Sequence, residues 1–239
     1  MARILPILLG PHQKAYLQHQ IISEASANIL EYIENNKDND TPTYLVALDF
    51  SKAFDSVSHN TIIQTLAFFG FPPKFISIIR HWLSNRNACI MLDNKKLSEF
   101  FQILVGVPQG DPLSGYLFIL VIEILILKLN CFPNIRPEGT LWGGISPLNT
   151  EGFADDIINF LQCTSGALET YSSIINTFGQ VSNLKINMNK TKLMIIGSHN
   201  ENAVNLATTS GFSVSSTFTH LGITIDNKLK ALDENWEKK

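Results

Sequence analysis

Apolar residues recur along the chain at two spacings, one typical of amphipathic helices and one of buried strands. The helical spacing predicts helices at about residues 22–33, 62–69, 73–83, 116–129 and 168–181. Short apolar runs predict strands at about residues 44–48, 88–92, 100–105 and 193–196, and a further strand or hairpin arm at 218–225. Two further apolar arms flank a pair of adjacent aspartates at residues 155 and 156, which predicts a tight hairpin. Gly70 ends the second helix, and Asp111 and Ser114 are expected to cap the fourth.

The order of these elements predicts an α+β fold. A strand, two helices, a hairpin, a further helix and a final strand fit an antiparallel sheet of the split βαβ, ferredoxin-like kind, with the helices packed on one face. We divide the chain into a leading segment at 1–42, a main unit at 43–226 with an insertion at about 71–105, and a tail at 227–239.

Composition excludes several classes of protein. Hydrophobic residues make up 45% of the chain and charged residues 16%, which rules out a disordered segment. The net charge of −3 is unlike that of a self-sufficient nucleic-acid-binding protein, which is usually basic. Cys89, Cys131 and Cys163 are isolated, which argues against a disulfide scaffold or zinc site and favours an intracellular protein. The most apolar run, Tyr116 to Leu127, is shorter than the roughly 20 residues of a membrane span, so we predict a buried helix and no membrane association.

Three aspartates stand at the ends of apolar segments. Asp49 closes the run at 44–48, and Asp155 with Asp156 forms the hairpin tip. If the two strands are neighbours, the three carboxylates meet at one sheet edge, where their mutual repulsion requires cations or protons. Oxygen ligands without a nearby histidine or cysteine suit Mg²⁺ rather than Zn²⁺, with Mn²⁺ as the alternative. Each aspartate taken alone is better explained as a turn residue, so the hypothesis depends on the group.

Six blocks in a fixed order carry a resemblance to a known family. They are Leu9 to Tyr16 (LGPHQKAY), Asp49 to His59 (DFSKAFDSVSH), Gly106 to Ser114 (GVPQGDPLS), Phe153 to Asp156 (FADD), and Leu184 to Lys192 (LKINMNKTK) with Phe218 to Gly222 (FTHLG) beyond it. Together they resemble the palm of a reverse transcriptase, and among these the non-LTR, LINE-like retrotransposon kind. The resemblance extends over roughly residues 10–225. It departs from the family at Gly115, where the usual residue is proline.

The resemblance implies roles for the residues around the predicted carboxylate edge. Asp49 and Asp155 would ligate two Mg²⁺ ions, with Asp156 beside them and the carbonyl of Phe50 as a further ligand. Phe54 would be the aromatic group under the incoming sugar that leaves no room for a 2′-hydroxyl. Phe54 is otherwise explained as an ordinary core aromatic.

The other matching blocks imply contacts with the nucleotide and primer. Gln109 would hydrogen-bond the substrate and Gly110 would allow close backbone approach; the alternative is an ordinary turn into a helix. Lys190 would protonate or neutralise the departing pyrophosphate, and is equally well explained as a solvated surface lysine. His220, Leu221 and Gly222 would form the primer grip, with a plain inter-strand turn as the alternative.

The resemblance implies an RNA-directed DNA polymerase whose partners are an RNA template, a DNA primer and deoxynucleoside triphosphates. Residues 1–42 would then be a partial fingers segment, 43–226 the palm with a fingers-like insertion, and 227–239 a C-terminal tail. A longer parent polyprotein would supply the remaining fingers and thumb. Two alternatives stay open: an inactive retroelement remnant that keeps the palm fold, and another metal-dependent palm enzyme such as a nucleotide cyclase or an RNA-directed RNA polymerase. Phe54 and the Gln109-Gly110 block argue against another palm enzyme of either kind.

Overall fold

The structure is a computed structural model that describes residues 1, 3–17, 22–137, 149–198 and 201–230. The helices are α1 (Leu5–Leu8), α2 (Ile22–Asn36), α3 (Ala53–Ser56), α4 (His59–Phe68), α5 (Pro73–Ser84), α6 (Pro112–Asn130), α7 (Ser165–Ser182) and α8 (Glu201–Thr209), with a 3₁₀ turn at Pro133–Ile135. The strands are β1 (Thr43–Leu48), β2 (Phe50–Ser51), β3 (Asn87–Ala88), β4 (Met91–Leu92), β5 (Lys95–Lys96), β6 (Phe101–Gln102), β7 (Thr150–Phe153), β8 (Asp156–Gln162), β9 (Lys185–Ile186), β10 (Lys192–Ile196), β11 (Ser213–Val214), β12 (Thr217–His220) and β13 (Ile223–Asp226).

The main sheet has the strand order β11-β10-β1-β8-β7. Three of its four pairings, β10 with β1, β1 with β8 and β8 with β7, are antiparallel, and the short β11 runs parallel to its neighbour β10. The chain passes from β1 to β7 through α3 to α6, and β8 then lies between these two strands, which run parallel to each other. This arrangement is a split βαβ unit, and α7 connects β8 to β10. The predicted ferredoxin-like α+β arrangement is therefore confirmed.

Both faces of the sheet are covered. Alternate residues of β1 and β8 point to opposite sides, because side chains alternate along a strand. Val46 and Ile157 pack with the helices α4, α6 and α7, whereas Leu45 and Ile158 pack with α2 and the β12–β13 hairpin. The helices that follow β1 share one face as predicted, and α2 does not. Its apolar stripe, which includes Ile33, covers the face that those helices leave open.

The apolar helix α6 is the centre of the larger core. It runs for 19 residues, longer than the apolar run in the sequence indicated, and it is long and apolar enough to cross a bilayer by those criteria alone. Most of its residues, from Ser114 through Leu129, are nevertheless buried inside the fold. Asp111 caps it by accepting the Leu113 amide at 2.8 Å. Ser114, also expected as a cap, lies inside the first turn, and its buried hydroxyl has no hydrogen-bond partner in the described ranges of the chain.

The insertion and the C-terminal part of the chain differ most from the elements predicted from the sequence. The two strands predicted at 88–92 and 100–105 are instead two stacked ladders of two-residue strands, β3 with β6 and β4 with β5. Two-residue strands leave no periodic signal, which also explains why β2, β9 and β11 were not predicted. The helix α8 was missed as well. The boundaries at residues 42, 71–105 and 226 stay predictions, and the tail from 231 onwards lies outside the described residues.

Candidate active site

Asp49 lies one residue beyond β1, at the sheet edge where the sequence predicted it. Its backbone is fixed on both sides, because its N–H donates to the Thr191 hydroxyl at 3.3 Å and its carbonyl accepts the Asn187 N–H at 2.8 Å. Thr191 is buried, so the strand end is anchored to the segment that leads into β10. One carboxylate oxygen of Asp49, Oδ1, is buried and has no hydrogen-bond partner among the described residues.

The predicted hairpin is formed by β7 and β8. Phe153 pairs with Asp156, which leaves Ala154 and Asp155 as a two-residue turn. Ala154 has φ +59°, a left-handed conformation that is uncommon for a residue with a side chain. Because β8 pairs with β1 up to the Leu48–Ile157 position, the hairpin tip comes next to Asp49, and the three carboxylates share one edge.

The electrostatics of the carboxylates reflect this proximity. Burial raises the pKa of Asp155, and the neighbouring charge of Asp49 raises it further. The pKa of Asp156 is raised by desolvation of its carboxyl and then by the charges of Asp155 and Asp49. Like charges at one edge therefore oppose ionisation unless a cation is present.

The donor set suits a hard divalent cation. Among the described residues, no three His, Cys, Asp or Glu side chains converge closely enough to enclose a metal on their own. Mg²⁺ usually takes only one or two carboxylates and completes its coordination with water and substrate phosphates. Two facing aspartates, one of them with an unpartnered buried oxygen, match that mode of binding.

A cavity of about 530 Å³ opens beside this edge, on the face covered by the β12–β13 hairpin. Its lining includes Asp49, Asp156, Lys190 and His220, so the structure brings together residues taken from four separate sequence blocks. Lys190 is exposed at its rim. His220 is buried, and burial lowers its pKa to about 4. Within the part of the chain that the structure describes, its Nε2 has no hydrogen-bond partner.

The hairpin that carries His220 turns sharply over two residues. His220 pairs with Ile223, and Leu221 and Gly222 both have positive φ, at +50° and +81°. Two successive positive φ values define the type I′ turn that fits the twist of a two-stranded hairpin. Of the three predicted primer-grip residues, His220 lines the cavity, whereas the turn residues Leu221 and Gly222 do not.

The residues predicted to contact the nucleotide, Phe54, Gln109 and Gly110, lie where the segment after Asp49 contacts the Gly106 to Ser114 block. The ring of Phe54 stacks on Phe118 with centroids 4.4 Å apart, and its backbone carbonyl accepts the Val107 N–H at 2.8 Å. Gln109 is exposed and donates to the Asp55 carboxylate at 3.1 Å. The Gly106 to Ser114 block therefore lies directly against the segment that follows Asp49.

Gly110 and Phe50 differ in what they leave available to a ligand. Gly110 has φ +87° and open space where a side chain would lie, which is the geometry needed for close approach by another molecule. The Phe50 side chain is buried and packs toward Phe178, with centroids 6.5 Å apart. Its ring is therefore a core group, and only its carbonyl remains as the predicted metal ligand.

Two residues of the Leu9 to Tyr16 block reach the carboxylate edge, although no sequence pattern singles them out. The Gln13 side chain bonds to the hairpin turn at Ala154. The pKa of Tyr16 is raised by burial and by the charge of Asp155, which puts its ring near the hairpin tip. A Cβ at Gly115 would lie 2.6 Å from this ring, so the glycine that replaces the family's proline makes room for Tyr16.

Comparisons with known proteins find similar proteins over most of the chain. The family model described as reverse transcriptase (RNA-dependent DNA polymerase) matches residues 2–225. The Pol polyprotein of the R2 retrotransposable element of Popillia japonica is 30% identical over 183 residues, covering 77% of this chain and 25% of the relative. That of the R2DM element of Drosophila melanogaster is 27% identical over 180 residues, covering 75% of this chain and 16% of the relative. The chain thus spans a quarter or less of the length of these relatives.

Among solved structures, the apo telomerase of Candida tropicalis, truncated from its C-terminal domain, superposes with a TM-score of 0.60. It is 16% identical, and the match covers 90% of this chain and 39% of that one. At this identity the likeness concerns the fold, and it agrees with a palm-like α+β arrangement. The family match over nearly the whole chain, with the R2 relatives, shows that the protein belongs to the reverse transcriptase family, as a domain of the non-LTR retrotransposon kind.

Proposed function

We propose that this chain is the catalytic palm of an RNA-directed DNA polymerase that extends a DNA primer on an RNA template. The observation that carries the proposal is the meeting of Asp49 with the Asp155-Asp156 hairpin at one sheet edge, beside a cavity that is also lined by Lys190 and His220. An unpartnered buried oxygen on Asp49 and the raised pKa values of Asp155 and Asp156 support a site that holds cations.

In this proposal the carboxylates of Asp49 and Asp155 and the carbonyl of Phe50 hold two Mg²⁺ ions, or Mn²⁺ in their place, with Asp156 adding negative charge beside them. When bound, such ions lower the pKa of the attacking hydroxyl and stabilise charge on the leaving oxygen. The primer 3′-oxygen forms a bond to the α-phosphorus of the nucleotide, and the bond to pyrophosphate breaks. Lys190 supplies a proton or a compensating charge to the departing pyrophosphate.

The remaining residues select and orient the substrates. The Phe54 ring, held by Phe118, lies under the sugar and excludes a 2′-hydroxyl. Gln109 donates to the nucleotide once it is released from Asp55, and Gly110 admits the backbone of the template or nucleotide. The hairpin that carries His220 steers the primer end. The fingers and thumb come from a longer polyprotein, in keeping with the small fraction of the relatives that this chain spans.

Primer extension on a short RNA template tests the proposal, with a DNA primer, deoxynucleotides and Mg²⁺. We expect extension by the wild type and no extension by Asp155→Asn. Asp38→Asn, which changes an exposed carboxyl in the α2–β1 connection, is the matched control and should extend normally. Synthesis by Asp155→Asn would contradict the metal-binding role. Absence of synthesis by the wild type, with cation binding retained, would favour the alternative of an inactive remnant that keeps the fold.

A further inference from the structure

The turn that presents Asp155 is strained and needs support from outside the hairpin. A two-residue turn whose first residue has positive φ normally carries glycine there, because any side chain is disfavoured in that conformation. This chain has Ala154, at φ +59°. Strain of this kind persists when the surrounding structure holds the residue in place. Ala154 is itself buried, so its backbone groups need partners within the protein.

A single side chain supplies those partners. Gln13 Oε1 accepts the Ala154 N–H at 3.0 Å, and Gln13 Nε2 donates to the Ala154 carbonyl at 3.4 Å. The same Oε1 also accepts the Ala15 N–H at 3.0 Å, which fixes the orientation of the amide. Gln13 is only 1% exposed, so water does not compete for these bonds.

The backbone of the N-terminal segment holds Gln13 at this position. The Lys14 N–H donates to the Gly152 carbonyl at 3.0 Å, and the Gly152 N–H donates to the His12 carbonyl at 2.8 Å. Together these bonds form a parallel bridge between Gln13 and Gly152 at the outer edge of β7. A Cβ on Gly152 would lie 3.4 Å from both Gln13 Nε2 and the His12 carbonyl, which places the N-terminal segment in van der Waals contact with the outer edge of β7.

We propose that Gln13 is a positioning residue, whose amide locks the Ala154 backbone so that the Asp155 carboxylate faces Asp49 in the arrangement that binds a divalent cation. The inference rests on the proposed function, which assigns Asp155 to the metal. It adds Gln13, which lies 141 positions from Ala154 in the sequence, to the residues that shape the site. An amide is required because one end must accept from N–H while the other donates to a carbonyl. Glutamate in its charged form has no donor for the Ala154 carbonyl, and methionine has neither strong donor nor strong acceptor.

Direct titration of the full 239-residue chain with Mn²⁺, followed by electron paramagnetic resonance of the free ion, tests this role. Loss of a residue that orients a metal ligand commonly weakens metal binding by about tenfold or more. We expect that loss for Gln13→Met and for the isosteric Gln13→Glu. Tyr171→Phe removes a buried hydrogen bond elsewhere on β8 and should keep the wild-type Mn²⁺ affinity. In primer extension, the Gln13 variants should require more Mg²⁺ for half-maximal rate and recover most of that rate at saturation.

A second substitution separates positioning from general loosening of the fold. Ala154→Gly removes the strain at the turn, so in the Gln13→Met background it should restore part of the Mn²⁺ affinity. Wild-type affinity in both Gln13 variants, while Asp155→Asn loses binding, would overturn the positioning role and leave the proposed function intact. Unchanged Mn²⁺ binding by Asp155→Asn would instead contradict the metal site of the proposed function.

Discussion

Ionisation of Glu151 should cost this fold stability as the pH rises. Glu151 lies in β7, 1% exposed, and its Oε1 accepts a hydrogen bond of 2.5 Å from the Asn28 amide of α2. Its Oε2 is buried and accepts no hydrogen bond from any residue that the structure describes. Burial raises the pKa of this carboxyl to about 7, against the lowering effects of Asn28 and Lys14, while the charge of Glu24 raises it further.

The sign and size of the effect follow from proton linkage. The folded state holds the proton more tightly than the unfolded state, so stability is lost as the pH rises from about 4.5 to about 7 and is then constant. The rise in the Glu151 pKa from 4.5 to about 7 on folding corresponds to a loss of about 3 kcal/mol in the free energy of unfolding above pH 7. Near pH 5 only about 1 kcal/mol of it is lost. Glutamine has the shape of the protonated acid and does not ionise. Glu151→Gln should therefore exceed the wild type in stability by about 3 kcal/mol near pH 8 and by about 1 kcal/mol near pH 5.

Urea unfolding at the two pH values, followed by tryptophan fluorescence, measures this difference. The wild-type curve alone is not diagnostic, because His220, with a pKa lowered to about 4, contributes stability that rises with pH up to about 6.5. Subtracting the wild type from the variant removes that contribution. Glu34→Gln, in the exposed ion pair with Lys37 on α2, is the control and should show little change between the two pH values. An equal difference for Glu151→Gln at both pH values would refute the reasoning.

Three further predictions concern single contacts. Tyr171→Phe removes a 2.7 Å hydrogen bond to the buried Asn159 amide oxygen and should lower the free energy of unfolding by about 1–2 kcal/mol, measured by urea unfolding. Gly115→Ala should be destabilising by about 1–3 kcal/mol because of the Tyr16 ring, and nearly neutral in a Tyr16→Ala background; equal costs in the two backgrounds would contradict the contact. Phe54→Ala should admit ribonucleotides in primer extension, whereas Phe54→Tyr should not, and unchanged sugar discrimination in Phe54→Ala would contradict the steric role.

The local features of this protein are determined by neighbouring residues and were predicted from the sequence. The stripe that begins after Pro72 predicted α5, and the apolar run after Asp111 predicted α6, because helical periodicity and capping depend on residues a few positions apart. Gly70 adopts the positive φ expected of a residue that ends a helix. The two apolar arms around Asp155 gave the hairpin for the same reason.

The candidate site was predicted in part because its aspartates lie at the ends of predicted strands. Asp49 and Asp155 each end a recognisable apolar segment, so their meeting followed once the two strands were assumed to be neighbours. The sequence did not show that His220 would be buried without a partner beside the same edge. That outcome depends on which face of the sheet the β12–β13 hairpin covers, and nothing within the hairpin specifies it.

The tertiary structure alone decided which distant segments support the hairpin tip. Gln13 and Ala154 contact each other across 141 residues, and Tyr16 and Gly115 across about a hundred. Neither pair leaves a periodic trace, since a buried amide or a missing side chain matters only once the facing backbone is in place. Sequence therefore determined the elements and the carboxylates at their ends, because both depend on neighbours along the chain. The register of the sheet and the packing of the N-terminal segment decided how those carboxylates are held, because both depend on contacts made only when the chain is folded.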